Sequence, residues 1–185
     1  MPKILDILKA NNVKVTFFVL GEWVDKFPDI IKRMAEEGHD VANHSDTHPH
    51  IASLSYEDIK KEITSANEKI EKATGKKNDL FRAPYGEYND NVISAAEELG
   101  FYTIQWDVDS LDWKNLGKEN ILNRVLSKTK DGSIILMHNG TQDTANVLDE
   151  MIKGLKDKGF NFKPTSEFIY RENYTLDHAG KQIKN

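Results

Sequence analysis

The chain has 185 residues, 25 basic and 30 acidic side chains, a formal charge of −5 and no cysteine. That length suits one domain with a sizeable core. Scattered basic residues on a net negative chain argue against a nucleic-acid partner, and the lack of cysteine excludes disulfides, thiolate metal sites and a cysteine nucleophile.

No apolar run reaches spanning length and no signal peptide opens the sequence, so it reads as a soluble chain without a membrane segment. The first element is an amphipathic helix, Pro2–Ala10, with proline in the first turn, where an absent N–H costs nothing. A strand follows at Val15–Leu20 (VTFFVL), then a helix at Val24–Glu37 closed by Gly38. Asp40–Asn43 (DVAN) is the next strand. The charged stretch Tyr56–Thr74, ending at Gly75, is a helix with a solvated face rather than a docking surface. Beyond it come a short strand at Asp79–Phe81, a helix at Asn89–Leu99 closed by Gly100, and a strand at Phe101–Trp106. A helix at Lys118–Lys128, a strand at Ser133–Met137 and a helix at Thr144–Lys158 closed by Gly159 complete the pattern, with a last strand at Phe160–Phe162. Residues 1–170 read as one domain and 171–185 as a C-terminal tail.

Alternating strands and helices with short connections imply a parallel sheet with right-handed crossovers, as a barrel or an open doubly wound sheet. No GxGxxG follows the first strand and no GxxxxGK[ST] occurs, which argues against nucleotide binding. Domains of this class ordinarily open on a strand; this sequence opens on a helix.

Parallel α/β folds collect reactive groups at the carboxyl ends of their strands. Here those ends carry His44 to His48, Arg82 to Gly86, Asp107 to Trp113, and His138 to Gly140. The HxxxH of His44 and His48 suits a divalent ion, although a polar turn would serve the same residues as well. Pro49 ends any helical turn there, so the pair sits on a loop. His50 reads as a non-ligand, and His39 lies at the opposite end of the sheet. Taken singly, Arg82, Asp112, Trp113 and His138 have plainer readings as a surface ion-pair partner, a loop cap, a core aromatic and a histidine bonded to backbone. Ser45 and Ser110 lack a GxSxG setting. Metal-activated water is the chemistry best matched to the parts.

Four segments occur in a telling order: NHSDTH (43–48), RAPYG (82–86), DSLDW (109–113) and LMH (136–138). They resemble the second to fifth motifs of the polysaccharide deacetylases, the NodB-homology domain of carbohydrate esterase family 4. TFFVLG (16–21) and IKGLKDKGFNF (152–162) are similar to that family too, and the helices and tail look most like its sporulation-associated, cell-wall-directed bacterial members. The resemblance implies an α/β fold, a distorted (β/α) barrel, and metal-dependent removal of N-acetyl groups from an aminosugar polymer, peptidoglycan or chitin-like. It implies a divalent metal ion, zinc or else cobalt or another divalent ion, held by His44 and His48. Arg82 would hold the catalytic base, and Tyr85 would lie beside the acetyl group with its N–H serving the oxyanion. Asp112 would orient His138, the general acid, while Trp113 and Leu136 would wall the acetyl pocket. The parent protein is expected outside the cytoplasm or at the cell wall.

The family's first motif, T-F-D-D-G, which supplies a metal ligand and the base, has no counterpart. The expectation is therefore a barrel missing its first β-strand, with weak or no activity; the alternative is a catalytically silent carbohydrate-binding domain. A sheet edge left open along VTFFVL is expected to be covered by a second copy (a homo-oligomer or strand exchange), by local rearrangement or by the tail.

Overall fold

A computed structural model describes residues 1–177 and 179–185; His178, within the expected tail, lies outside the described residues. In chain order the elements are α1 (Pro2–Ala10), β1 (Thr16–Val19), α2 (Gly21–Lys26), α3 (Pro28–Glu36), β2 (Asp40–Asn43), α4 (Tyr56–Thr74), β3 (Leu80–Phe81), α5 (Asp90–Glu98), β4 (Tyr102–Thr103), β5 (Val108–Asp109), α6 (Lys118–Lys128), β6 (Ile135–Leu136), α7 (Thr144–Asp157), β7 (Tyr174–Leu176) and β8 (Gln182–Lys184). They form two compact units, Val15–Gln105 with Lys163–Asn185, and Met1–Lys14 with Trp106–Phe162.

The larger unit holds a parallel sheet in the order β1-β2-β3-β4. Helix α4 covers it. Ser55 caps the helix, its hydroxyl accepting from Asp58 N at 3.2 Å, and Gly75 ends it in the left-handed region at φ 68°. Its apolar stripe, Ile59, Ile63, Ala66 and Ile70, follows helical spacing and is fully buried. Each isoleucine so buried contributes roughly 1.5–3 kcal/mol. Phe81, Val92, Ala95 and Ala96 share this core with Ile59 and Ile63.

The helix expected over Val24–Glu37 is two helices, broken at Phe27 (φ −134°, ψ 51°). Pro28 is the cause. Its ring drives the preceding residue out of the α region and it cannot donate a helical hydrogen bond, yet it suits the first position of α3. The strand expected over Phe101–Trp106 forms a ladder only at Tyr102–Thr103. Beyond it, the carbonyls of Ile104 and Gln105 accept from the Arg82 guanidinium, both at 3.3 Å.

In the smaller unit β5 pairs in parallel with β6, matching Asp109 to Leu136. Helices α1, α6 and α7 bury Leu5 and Leu8, Ile121 and Val125, and Met151, Ile152 and Leu155. Gly154 permits the close approach of α7 to α6, since a Cβ there would meet Leu126 at 3.0 Å. Helix α1 is tied to α7 by Asn11 Nδ2 donating to Asp149 at 2.8 Å. The strand expected at Phe160–Phe162 does not form. Phe160 N instead donates to Leu155 O at 3.1 Å, closing the end of α7.

Within residues 171–185, β7 and β8 pair with each other as an antiparallel hairpin. Arg171 pairs with Asp79 at the start of β3. Among the described residues, β1 has a strand neighbour on one side only, β2.

Candidate active site

Strand β2 ends at Asn43, whose buried side chain fixes the next turn from both ends. Its Nδ2 donates to Ile63 O on α4 at 2.8 Å, and its Oδ1 accepts from Ser45 N at 2.9 Å. His44 leaves the strand with its N–H on Val19 O of β1. Its Nδ1 lies 2.7 Å from Arg82 O. A carbonyl only accepts, so Nδ1 carries the hydrogen and Nε2 carries the lone pair suited to a metal. His48 N donates to Ser45 Oγ at 3.1 Å, and the two imidazoles meet edge to face with centroids 5.0 Å apart.

These features fit a divalent ion: two neighbouring imidazoles, one already oriented by a backbone carbonyl as metal-bound histidines usually are. Among the described residues no cluster of three or more His, Cys, Asp or Glu is poised for a metal. Asp46, between the histidines, is committed to Lys69 Nζ at 2.8 Å.

Arg82 is buried at the end of β3, its guanidinium 4.1 Å from the Phe18 ring centroid. Burial lowers its pKa to about 10, so it stays charged at neutral pH. Tyr85 follows in the tight Pro84–Gly86 turn, its own backbone left-handed at φ 57°. It is stacked on His50 at 4.4 Å and touched edgewise by His48 at 4.5 Å. His50 Nδ1 lies 3.0 Å from Glu87.

In the smaller unit, Asp112 and His138 are joined. Asp112 is 1% exposed. Its Oδ1 accepts from His138 Nδ1 at 2.8 Å; its Oδ2 accepts from His138 N at 2.7 Å and from Thr144 Oγ1 at 2.5 Å. With Nδ1 donating to a carboxylate, Nε2 is the ring atom left to exchange a proton with a substrate. Burial pushes the Asp112 carboxyl up. The hydrogen bonds from the His138 ring, the Thr144 hydroxyl and the His138 N–H outweigh it, holding Asp112 below the ordinary aspartate value. Asp109 serves the loop, its Oδ1 accepting from Leu111 N at 2.9 Å. Trp113 is exposed with the Lys114 ammonium 5.0 Å from its ring, and Leu136 is half-buried in β6.

A testable consequence concerns Asp112→Asn, which replaces an acceptor of three hydrogen bonds by an amide that can also donate. The fold should lose on the order of 2–3 kcal/mol near neutral pH, the scale of a hydrogen bond to a charged group. A depressed folded-state pKa stabilises the fold above the ordinary aspartate value, and that contribution fades as pH falls through the depressed value. Urea denaturation should therefore show the gap between wild type and variant narrowing in acid.

Thr144 and Glu62, whose Oε2 accepts from Asp46 N and Thr47 N at 2.9 Å, belong to these arrangements and no sequence motif marks them. Thr144 reads as an ordinary first-turn helix residue, and Glu62 is one of many charges on α4.

Residues 1–104 match the family described as polysaccharide deacetylase. The chain is 41% identical over 165 residues to a peptidoglycan-N-acetylglucosamine deacetylase from Bacillus cereus, covering 87% of this chain and 60% of that protein. It is 36% identical over 179 residues to the peptidoglycan-N-acetylmuramic acid deacetylase PdaA from Bacillus subtilis, covering 95% of this chain and 68% of that protein. Among solved structures, a carbohydrate esterase family 4 (CE4) pseudoenzyme from Bacillus anthracis superposes with a TM-score of 0.87 at 38% identity, covering 90% of this chain and 59% of that one. The chain thus spans roughly three-fifths of the length of such relatives. With an extensive family match and relatives well above the identity at which fold and ancestry are shared, the chain belongs to the polysaccharide deacetylase family.

Proposed function

We propose that the chain is a metal-dependent hydrolase that removes N-acetyl groups from an aminosugar polymer of the peptidoglycan or chitin type, acting outside the cytoplasm. The Asp112–His138 pair carries this reading. An amide gives up a poor amine leaving group that must be protonated as the C–N bond breaks. His138, with Nδ1 on a buried carboxylate, offers that proton from Nε2.

His44 and His48 hold the metal, which when bound polarises the amide carbonyl and acidifies a water. Zinc suits two imidazoles, as does cobalt. The Tyr85 N–H supplies a donor for the developing oxyanion. Arg82 offers a fixed, desolvated positive charge to hold an acid in place, and Trp113 and Leu136 give apolar surface for the acetyl methyl.

The likeness to a CE4 pseudoenzyme favours one rival, a silent carbohydrate-binding domain. Incubation with N-acetylglucosamine and N-acetylmuramic acid oligomers, with added zinc or cobalt, separates the two. New free amines that disappear on chelation support the hydrolase. Oligomer binding with no amine formed, at any metal concentration, supports the rival.

A further inference from the structure

The turn from His44 to His48 contains two non-glycine residues in the left-handed region, Ser45 at φ 70° and His48 at φ 62°. That conformation costs about 1–2 kcal/mol for each L-residue. The shape therefore has to be imposed from outside the turn.

Much of the grip comes from one side chain on α4. Glu62 Oε2 accepts from Asp46 N and from Thr47 N, both at 2.9 Å, and Glu62 Oε1 accepts from Thr47 Oγ1 at 2.9 Å. All three donors lie between the two histidines. Two helical turns along, Lys69 holds Asp46 Oδ1 at 2.8 Å and Asp25 Oδ2 at 2.9 Å. The helix is itself immobilised by Ile59, Ile63, Ala66 and Ile70. Gly21 leaves room for this arrangement, because a Cβ there would lie 1.8 Å from Asp46 Oδ1.

We propose that Glu62 is a positioning residue for the metal: it hangs the turn from α4 so that His44 and His48 are pre-set to share one ion. This rests on the metal-binding reading of those two histidines. Three donors converge on Glu62, and a carboxylate answers all of them. Glutamine keeps the size but not the charge: its one oxygen can still accept from the two N–H groups, more weakly, and the Thr47 hydroxyl has to turn to accept from the NH2, so Glu62→Gln loosens the hold on the turn.

The test is titration of Co²⁺ alone into wild type, Glu62→Gln and Ile59→Val, by calorimetry and by the visible cobalt spectrum, with thermal melts of the metal-free proteins. Ile59→Val removes one buried methylene from the same helix, a loss of about 0.5–1.5 kcal/mol, without touching the turn. Glu62→Gln should bind Co²⁺ about 10–100-fold more weakly, the usual penalty for losing an outer partner of a metal ligand, with an altered spectrum. Ile59→Val should keep wild-type affinity and spectrum despite its lower Tm. Equal affinity in wild type and Glu62→Gln overturns the proposal, as does an equal loss in Ile59→Val. If wild type binds no Co²⁺, the metal reading of His44 and His48 falls and the role of Glu62 falls with it. Should Glu62→Gln fail to fold, Thr47→Val removes one of the three bonds; a several-fold weaker affinity supports the proposal and an unchanged one overturns it.

Discussion

His138→Ala is expected to slow acetate release from N-acetylated aminosugar oligomers by about 10²–10⁴-fold, the contribution typical of a positioned general acid. The loss should come with little unfolding. The His138 side chain is 42% exposed, and alanine retains the backbone N–H that donates to Asp112 at 2.7 Å, while Thr144 still donates at 2.5 Å. The buried carboxylate therefore keeps two of its three partners. The defect should also depend on the leaving group. An aryl acetate ester, whose phenolate departs without a proton, should be hydrolysed by the variant at nearly the wild-type rate. A loss of equal size on amide and aryl ester would mean that His138 serves the fold or the binding of substrate rather than the leaving amine.

His44→Ala is expected to abolish stoichiometric binding of zinc or cobalt. Losing an outer partner of a metal ligand typically costs about 10–100-fold, and loss of a ligand itself from a pair should exceed that. The variant removes one imidazole and the bond from Nδ1 to Arg82 O, but spares the core residues beneath the turn. Arg82 N still donates to Asn43 O at 2.9 Å, so the junction of β2 and β3 persists. Calorimetric titration measures the effect, and a chelator-washed wild type supplies the reference. Binding of equal strength in both proteins would remove His44 from the metal site.

Where local signals agree, the sequence is readable to the residue. Helices α1, α4 and α6 and strand β2 fall where proline, closing glycine and apolar spacing place them. The single helix read across Pro28 shows the opposite: apolar periodicity continues on both sides, but one pyrrolidine ring overrides it. The ladders of β4 and β6 are shorter than the apolar runs around them, because hydrophobicity marks burial and not the donor that each carbonyl meets. Arg82 takes two such carbonyls. The β7–β8 hairpin is made of two three-residue, partly polar strands, too short for alternation to register.

The same division holds for the site. His44, His48, Arg82, Asp112 and His138 stand at or just beyond strand ends, as the order of apolar runs implies, and the pairing of Asp112 with His138 follows from the neighbouring positions of β5 and β6. The residues that orient them were not. Glu62 lies 14 residues from His48 in sequence and Thr144 lies 32 from Asp112; a glutamate on a charged helix and a threonine at a helix start have no local mark of such a role. Only the packing of α4 against the sheet, and of α7 within its own unit, brings them to their partners.

Hydrolysis of an N-acetyl group is tested most directly in water enriched in heavy oxygen. The protein, zinc and an N-acetylated aminosugar oligomer are incubated together, and acetate and sugar are analysed by mass spectrometry. The account predicts zinc-dependent release of acetate carrying one solvent oxygen, with the sugar left as a free amine. An oligomer that stays fully N-acetylated at every zinc concentration, or acetate free of solvent oxygen, would contradict it.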